Sequence, residues 1–121
     1  MAAEMAELQA NLSDIYFAYD ESEITSDSEA TLRSNSSWLQ MPYVSAQIEI
    51  EGHCDERGTV EYNQALGSRR AQAAHDYLLS LGVPADRLTI ISYGKERPQC
   101  TESEESCWER NRRAHFRIST R

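Results

Sequence analysis

Apolar positions in this chain alternate over short runs and then recur at helical spacing, and the two periods take turns along it. Ile15-Tyr16-Phe17-Ala18-Tyr19 is an apolar and aromatic run with high strand propensity, ended by Asp20-Glu21-Ser22-Glu23. Ser26 followed by Glu29 matches a capping box, which predicts a helix from Asp27 to about Gln40, stopped by Pro42. Its apolar face is thin, with Leu32, Trp38 and Leu39 as the only large members, and Ser34-Asn35-Ser36-Ser37 is poor helix material. A second strand is expected over Ala46–Glu51, where Ile48 and Ile50 alternate with Glu49 and Glu51. Thr59 is placed to cap a long helix with a buried stripe at Leu66, Ala73 and Leu78, closed by Gly82 with Pro84 beyond. Arg87–Tyr93 reads as a third strand, with Ile90-Ile91 predicting burial on both faces, and one helical turn is expected near Trp108. In Arg113–Thr120, Ala114, Phe116 and Ile118 alternate with His115 and Arg117, a fourth strand. The order β-α-β-α-β-β predicts an α+β domain: parallel neighbours joined by right-handed crossovers, with the last strand free to insert antiparallel. Residues 1–14 have helical propensity but no strong stripe, and are expected to be a flexible linker remnant of a longer precursor, with the domain proper spanning 15–121.

Composition narrows the function classes. A length of 121 residues suits one domain, and 40% apolar residues with two Trp and six Tyr can fill one core. The net charge of −8 argues against a general nucleic-acid binder, which needs a basic face. Glu109-Arg110-Asn111-Arg112-Arg113 is a basic island rather than a phosphate track. No apolar run approaches the ~20 residues that span a bilayer.

The chemistry concentrates between the second strand and the long helix. Gly52 and Gly58 bracket a polar loop, His53-Cys54-Asp55-Glu56-Arg57, at the carboxyl end of a strand, a common place for a ligand site. Asp55 is the candidate anion and Arg70 the candidate cation. A helix starting at Thr59 puts Arg70 roughly 16 Å along its axis. Either the loop folds back along the helix, then, or the regular helix begins later. His53 has no nucleophile and third orienting group beside it and reads as a structural hydrogen-bonded residue. Asn63 reads as a bond to loop backbone. His53, Cys54 and Asp55 match no paired metal-ligand spacing, so no metal or other cofactor is expected. Cys54 reads as a small buried side chain, while Cys100 and Cys107 flank TESEES and can close an eight-residue ring.

Four motifs then stand in register: IEGHCDERGTVEYN at 50–63, LGSRRA at 66–71, SYGKERP at 92–98 and NRRA at 111–114, with Tyr16-Phe17 and Asp20 near the start. Together, over about residues 15–119, they resemble the OmpA-like peptidoglycan-binding domain, and within it the branch of peptidoglycan-associated lipoproteins. The resemblance implies a two-layer α/β sandwich: a mixed four-stranded sheet of order 1-4-2-3, its last strand antiparallel, with two helices on one face. It also implies non-catalytic binding of the meso-diaminopimelate of peptidoglycan stem peptides. Asp55 would read the ligand's ammonium and Arg70 its carboxylate, with Asp20, Asn111 and Arg112 completing the binding set and Gly52, Gly58, His53 and Asn63 shaping the loop. The branch further implies a monomeric domain at the periplasmic face of the Gram-negative outer membrane. It would be held there by a lipidated Cys upstream of this sequence and would work in the Tol-Pal system with TolB as partner. The alternative is a small periplasmic hydrolase or metalloprotein using His53, Asp55 and Glu56. The sequence departs from the family at Cys54, where Ala or Thr is usual, and at Cys100 and Cys107. An oxidising periplasm makes a Cys100–Cys107 disulfide the expectation, with Cys54 free. Arg70→Ala and Asp55→Ala are expected to abolish wall binding with the fold intact, and disulfide reduction to spare binding because both residues lie outside the ring.

Overall fold

The computed structural model describes residues 2–42 and 44–119. The elements are α1 (Ala2–Asn11), β1 (Ile15–Tyr16), α2 (Ser26–Leu39), β2 (Gln47–His53), α3 (Val60–Ser80), a 3₁₀ turn (Ala85–Arg87), β3 (Leu88–Gly94), α4 (Glu105–Asn111) and β4 (Arg113–Ser119). The sheet order is β1-β4-β2-β3. β2 and β3 are parallel, with Ile50 opposite Ile90, and β4 inserts antiparallel, with Phe116 opposite Ile50 and Ala114 opposite Ile15. Ile48, Ile50, Ala114 and Phe116 face the helices and meet Leu32, Leu39, Ala71, Ala74 and Leu78 in one core. The alternate positions form a charged outer face, where Arg117 pairs with Glu49 and Glu51, His53 with Glu51, and His115 with Asp14.

The sequence expectation is corrected most at the start of the chain. Residues 2–11 are helical rather than a flexible linker, and Leu8 and Leu12 sit in the core. Among the described side chains, Leu8 and Leu12 carry this docking, too few to make a visible stripe. Gln9 adds a specific reason for order. Its amide donates to the Phe116 carbonyl (2.8 Å) and accepts from the Ile118 N–H (2.9 Å), capping β4 backbone that the two-residue β1 leaves unpaired. β1 is shorter than the apolar run suggested because the chain turns away after Phe17, whose N–H still reaches the Arg112 carbonyl.

α2 begins one residue earlier than expected, with Thr25 rather than Ser26 as cap. Its thin apolar face is explained by what else it buries. Asn35, fully buried, donates to and accepts from the Ser13 backbone (2.9 and 3.0 Å), and Ser28 donates to the Tyr16 carbonyl, so polar residues tie this helix to the first strand. Thr59 caps α3 as expected, by accepting the Tyr62 N–H. The buried stripe of α3 runs through Asn63, Leu66, Gly67, Arg70, Ala71, Ala74 and Leu78, with Ala73 only half-buried. β2 continues two residues past Glu51 to His53, and Ile90 and Ile91 are half-buried because β3 is an edge strand. α1 is a helix beyond those expected, and the single turn expected near Trp108 is the seven-residue α4. Cys100 and Cys107 form a disulfide with Cα atoms 5.3 Å apart, and Cys54 is a buried free thiol.

One contact sets the height of α3 against β2. A Cβ at Gly52 would lie 1.7 Å from the Gly67 carbonyl oxygen, so helix and strand meet backbone to backbone. Gly52→Ala must push the helix off the sheet, and a cost of roughly 3 kcal/mol or more is expected from denaturant unfolding. A cost within ~0.5 kcal/mol, the range of an ordinary surface substitution, would contradict this contact.

Candidate functional site

Because Gly67 locks onto Gly52, Arg70 comes level with the end of β2, less than one helical turn further on. Of the two geometries open to the sequence, the structure adopts the one in which the loop folds back beside the helix. Arg70 is 1% exposed, on the core-facing seam of α3. Its Nε donates to the Glu21 carbonyl (2.8 Å), Nη1 to His53 (3.0 Å) and Nη2 to Ala18 (3.2 Å). A guanidinium carries five N–H groups, so one hydrogen on each Nη remains. Among the described residues no carboxylate oxygen lies within ion-pair reach of it. Burial lowers its pKa, although Arg stays charged in any accessible pH range. The result is a buried cation held by carbonyl dipoles, with donor capacity to spare.

Asp55, also buried, is crowded with donors. Its Oδ1 accepts from the Arg57 N–H (3.0 Å) and Nε (3.2 Å), and its Oδ2 from Arg57 Nη2 (2.7 Å) and Arg112 Nη1 (3.5 Å). Burial alone would raise the carboxyl pKa, but these hydrogen bonds and the arginine charges bring it below the ordinary value. Arg112 is fixed from behind by the Phe17 carbonyl and by Glu105. The Arg57 guanidinium lies between two aromatic rings, 4.2 Å from Tyr19 and 3.9 Å from Trp108.

A cleft of about 60 Å³ opens between these groups, lined by Tyr19, Asp20, Asp55, Arg57, Tyr62 and Arg70 among others. Of the sequence-nominated residues, Asp20, Asp55 and Arg70 come together here, with Gly58 and Asn63 in the wall. Asp20 adopts φ +58° and accepts from the Tyr62 hydroxyl. Asn63 donates to the Arg57 and Thr59 carbonyls, shaping the loop. Asn111 and Arg112 do not line the cleft. Asn111 is spent on the backbone of Gln99 and Cys100, and Arg112 acts on the site only through Asp55. Arg57, Tyr19, Tyr62 and Trp108 were not nominated. Tyr19 adjoins Asp20, and Arg57 stands two residues from Asp55, but no periodicity turns such neighbours into a prediction.

The groups a hydrolase would need do not converge. The His53 ring lies on the outer face of the sheet with Glu51 and stacks on Tyr93. Glu56 accepts from Ser103 and Trp108, and burial pushes the Cys54 thiol up to about 11. Among the described residues no cluster of three His, Cys, Asp or Glu side chains is placed to hold a metal. Two expectations change here. Arg70 bridges the β1–α2 connection and the end of β2 through three carbonyls, so Arg70→Ala costs stability as well as any ligand contact. The disulfide ring does not stand apart, because Trp108, next to Cys107, covers Arg57.

This strand-loop-helix cleft on a 1-4-2-3 sheet is the architecture of the OmpA family, to which the chain belongs: the family match covers residues 16–112. The chain is 53% identical over 83% of its length to the peptidoglycan-associated lipoprotein of Rhizobium meliloti and 51% identical over 90% to that of Mesorhizobium japonicum. It spans 56% and 65% of those two proteins. Among solved structures, the peptidoglycan-associated lipoprotein from Burkholderia pseudomallei superposes with a TM-score of 0.83 at 36% identity, covering 88% of this chain and 89% of that one.

The lowered pKa of Asp55 makes a stability prediction. Because the folded value lies below the unfolded one, its contribution is present above the ordinary carboxylate pKa of about 3.9 and is lost as pH falls through the folded value. Unfolding free energy followed from pH 7 down to about 3 is expected to fall less steeply in Asp55→Asn than in the parent. Parallel profiles would contradict the assignment.

Proposed function

We propose that this domain binds the zwitterionic side-chain end of meso-diaminopimelate in peptidoglycan stem peptides, without covalent chemistry. The observation that carries the reading is Arg70: a buried guanidinium without a carboxylate partner among the described residues, lining a cleft that also contains Asp55 and Asp20. Diaminopimelate presents an ammonium and a carboxylate on one carbon. The planar fork of Arg70 suits the carboxylate, and Asp55, with Asp20 at the rim, suits the ammonium. The names of the related lipoproteins agree with a cell-wall ligand. The same reading makes the full-length protein a tether between outer membrane and wall, lipid-anchored at the periplasmic face and partnered by TolB in the Tol-Pal system, a role that follows from the resemblance of the four motifs.

Calorimetric titration with the tripeptide L-Ala-γ-D-Glu-meso-diaminopimelate tests it. Arg70→Lys keeps the charge but replaces a fork by a point, and Asp55→Asn keeps the shape but removes the charge. Each is expected to weaken binding on the order of tenfold or more, as loss of a charge-assisted hydrogen bond predicts. Circular dichroism should show both variants folded, which Arg70→Ala, having lost three backbone contacts, does not guarantee. Undiminished affinity in both variants would overturn the assignment, and release of cleaved fragments from intact wall would favour an enzyme.

A further inference from the structure

Every acceptor position of Asp55 is already taken in this structure: Oδ1 by the Arg57 N–H and Nε, Oδ2 by Arg57 Nη2 and Arg112 Nη1. An incoming ammonium therefore finds Asp55 occupied. The two arginines differ in what holds them. Arg112 is buried, with its side chain 6% exposed, and is bound also to Phe17 and Glu105, so withdrawing it would strand a charge in the interior. Arg57 is 32% exposed at its side chain and stands on a loop. Besides Asp55, its guanidinium meets, among the described residues, the faces of Tyr19, itself 60% exposed, and Trp108. Arg57 can leave Asp55 at modest cost while Arg112 keeps the carboxylate charged and oriented.

We infer that Arg57 occupies the ligand's ammonium position in the free domain, as a latch that a bound zwitterion displaces. The inference rests on the diaminopimelate reading and adds a term to it. The exchange conserves charge, since one cation replaces another on Asp55. It also sets a threshold, because a ligand must outcompete a bidentate guanidinium held between two rings. Trp108 makes the disulfide ring part of the latch: Ser103 and Trp108 both donate to Glu56, fixing the ring against the loop that carries Arg57 (2.6 and 3.0 Å). The exposed ring of Tyr19 and the half-buried ring of Trp108 give the released guanidinium a surface on which to remain.

The test compares the tripeptide affinity of the parent, Arg57→Gln and Arg57→Ala by calorimetry, with circular dichroism confirming folding. A Trp38→Phe background leaves Trp108 as the sole tryptophan, so its fluorescence reports release of the stacked cation. Arg57→Ala is expected to bind roughly threefold to tenfold more tightly than the parent, the gain from removing an internal competitor held by one half-exposed ion pair and two cation–π contacts. Arg57→Gln, with donors but no charge, should fall between them. Trp108 fluorescence should change saturably with tripeptide in the parent, at the calorimetric midpoint. Weaker binding by Arg57→Ala would make Arg57 a ligand-reading residue and overturn the latch. Unchanged binding would make it a bystander and overturn the latch while leaving the diaminopimelate reading standing. No binding by any of the three would remove that reading and the latch together.

Discussion

The fold and the site both depend on how one buried cation is held. Arg70 projects from the core-facing seam of α3 and gathers carbonyls from the β1–α2 connection, Ala18 and Glu21, and from the end of β2, His53. A charge so deep is tolerated only when it is well hydrogen-bonded. Carbonyl dipoles supply those bonds without neutralising the charge, which leaves a field in the cleft that favours an anion. The arrangement needs α3 at one height on the sheet, and the Gly52–Gly67 contact sets that height: neither residue has room for a Cβ.

The second half of the site is built from outside the helix. Asp55 is a carboxylate supported by Arg112, which enters just before β4, and covered by Arg57, which is stacked beneath Trp108 of α4. The cleft is thus lined from the β1–α2 connection, the β2–α3 loop and the face of α3, and it is backed, behind Asp55, by the α4–β4 junction. The insertion of β4 between β1 and β2 is what brings the last of these beside the first. The outer face of the sheet, with its Glu, Arg and His pairs, takes no part. His53 belongs to that face by its ring and to the cleft only by its carbonyl.

Much of this was legible in the chain. Strand alternation at Ile48–Glu51 and Ala114–Ile118, the Thr59 cap and the Gly82 stop are local signals that local physics honours, and the family motifs supplied the sheet order. The nomination of Asp55 and Arg70 came from chemistry and resemblance together, and both line one cleft. What stayed hidden was tertiary. The docking of α1 rests on two leucines and on a glutamine that mimics a peptide group, which no period reveals. Asn111 was nominated for its place in a motif, yet its amide is consumed by the backbone of Gln99 and Cys100. Arg57 looked like one more loop charge, because nothing in the order of residues says that Tyr19 and Trp108, far apart in sequence, close around it.

The central claim is that a single carbon bearing an ammonium and a carboxylate is read between Asp55 and Arg70. A crystal structure of the domain soaked or grown with the diaminopimelate tripeptide tests it most directly. The account predicts the side-chain carboxylate within ~3 Å of the free Arg70 Nη hydrogens' nitrogens and the adjacent ammonium at hydrogen-bond distance from Asp55. A ligand seated on the outer face of the sheet, or one bound in the cleft with no polar contact to Arg70, would contradict it.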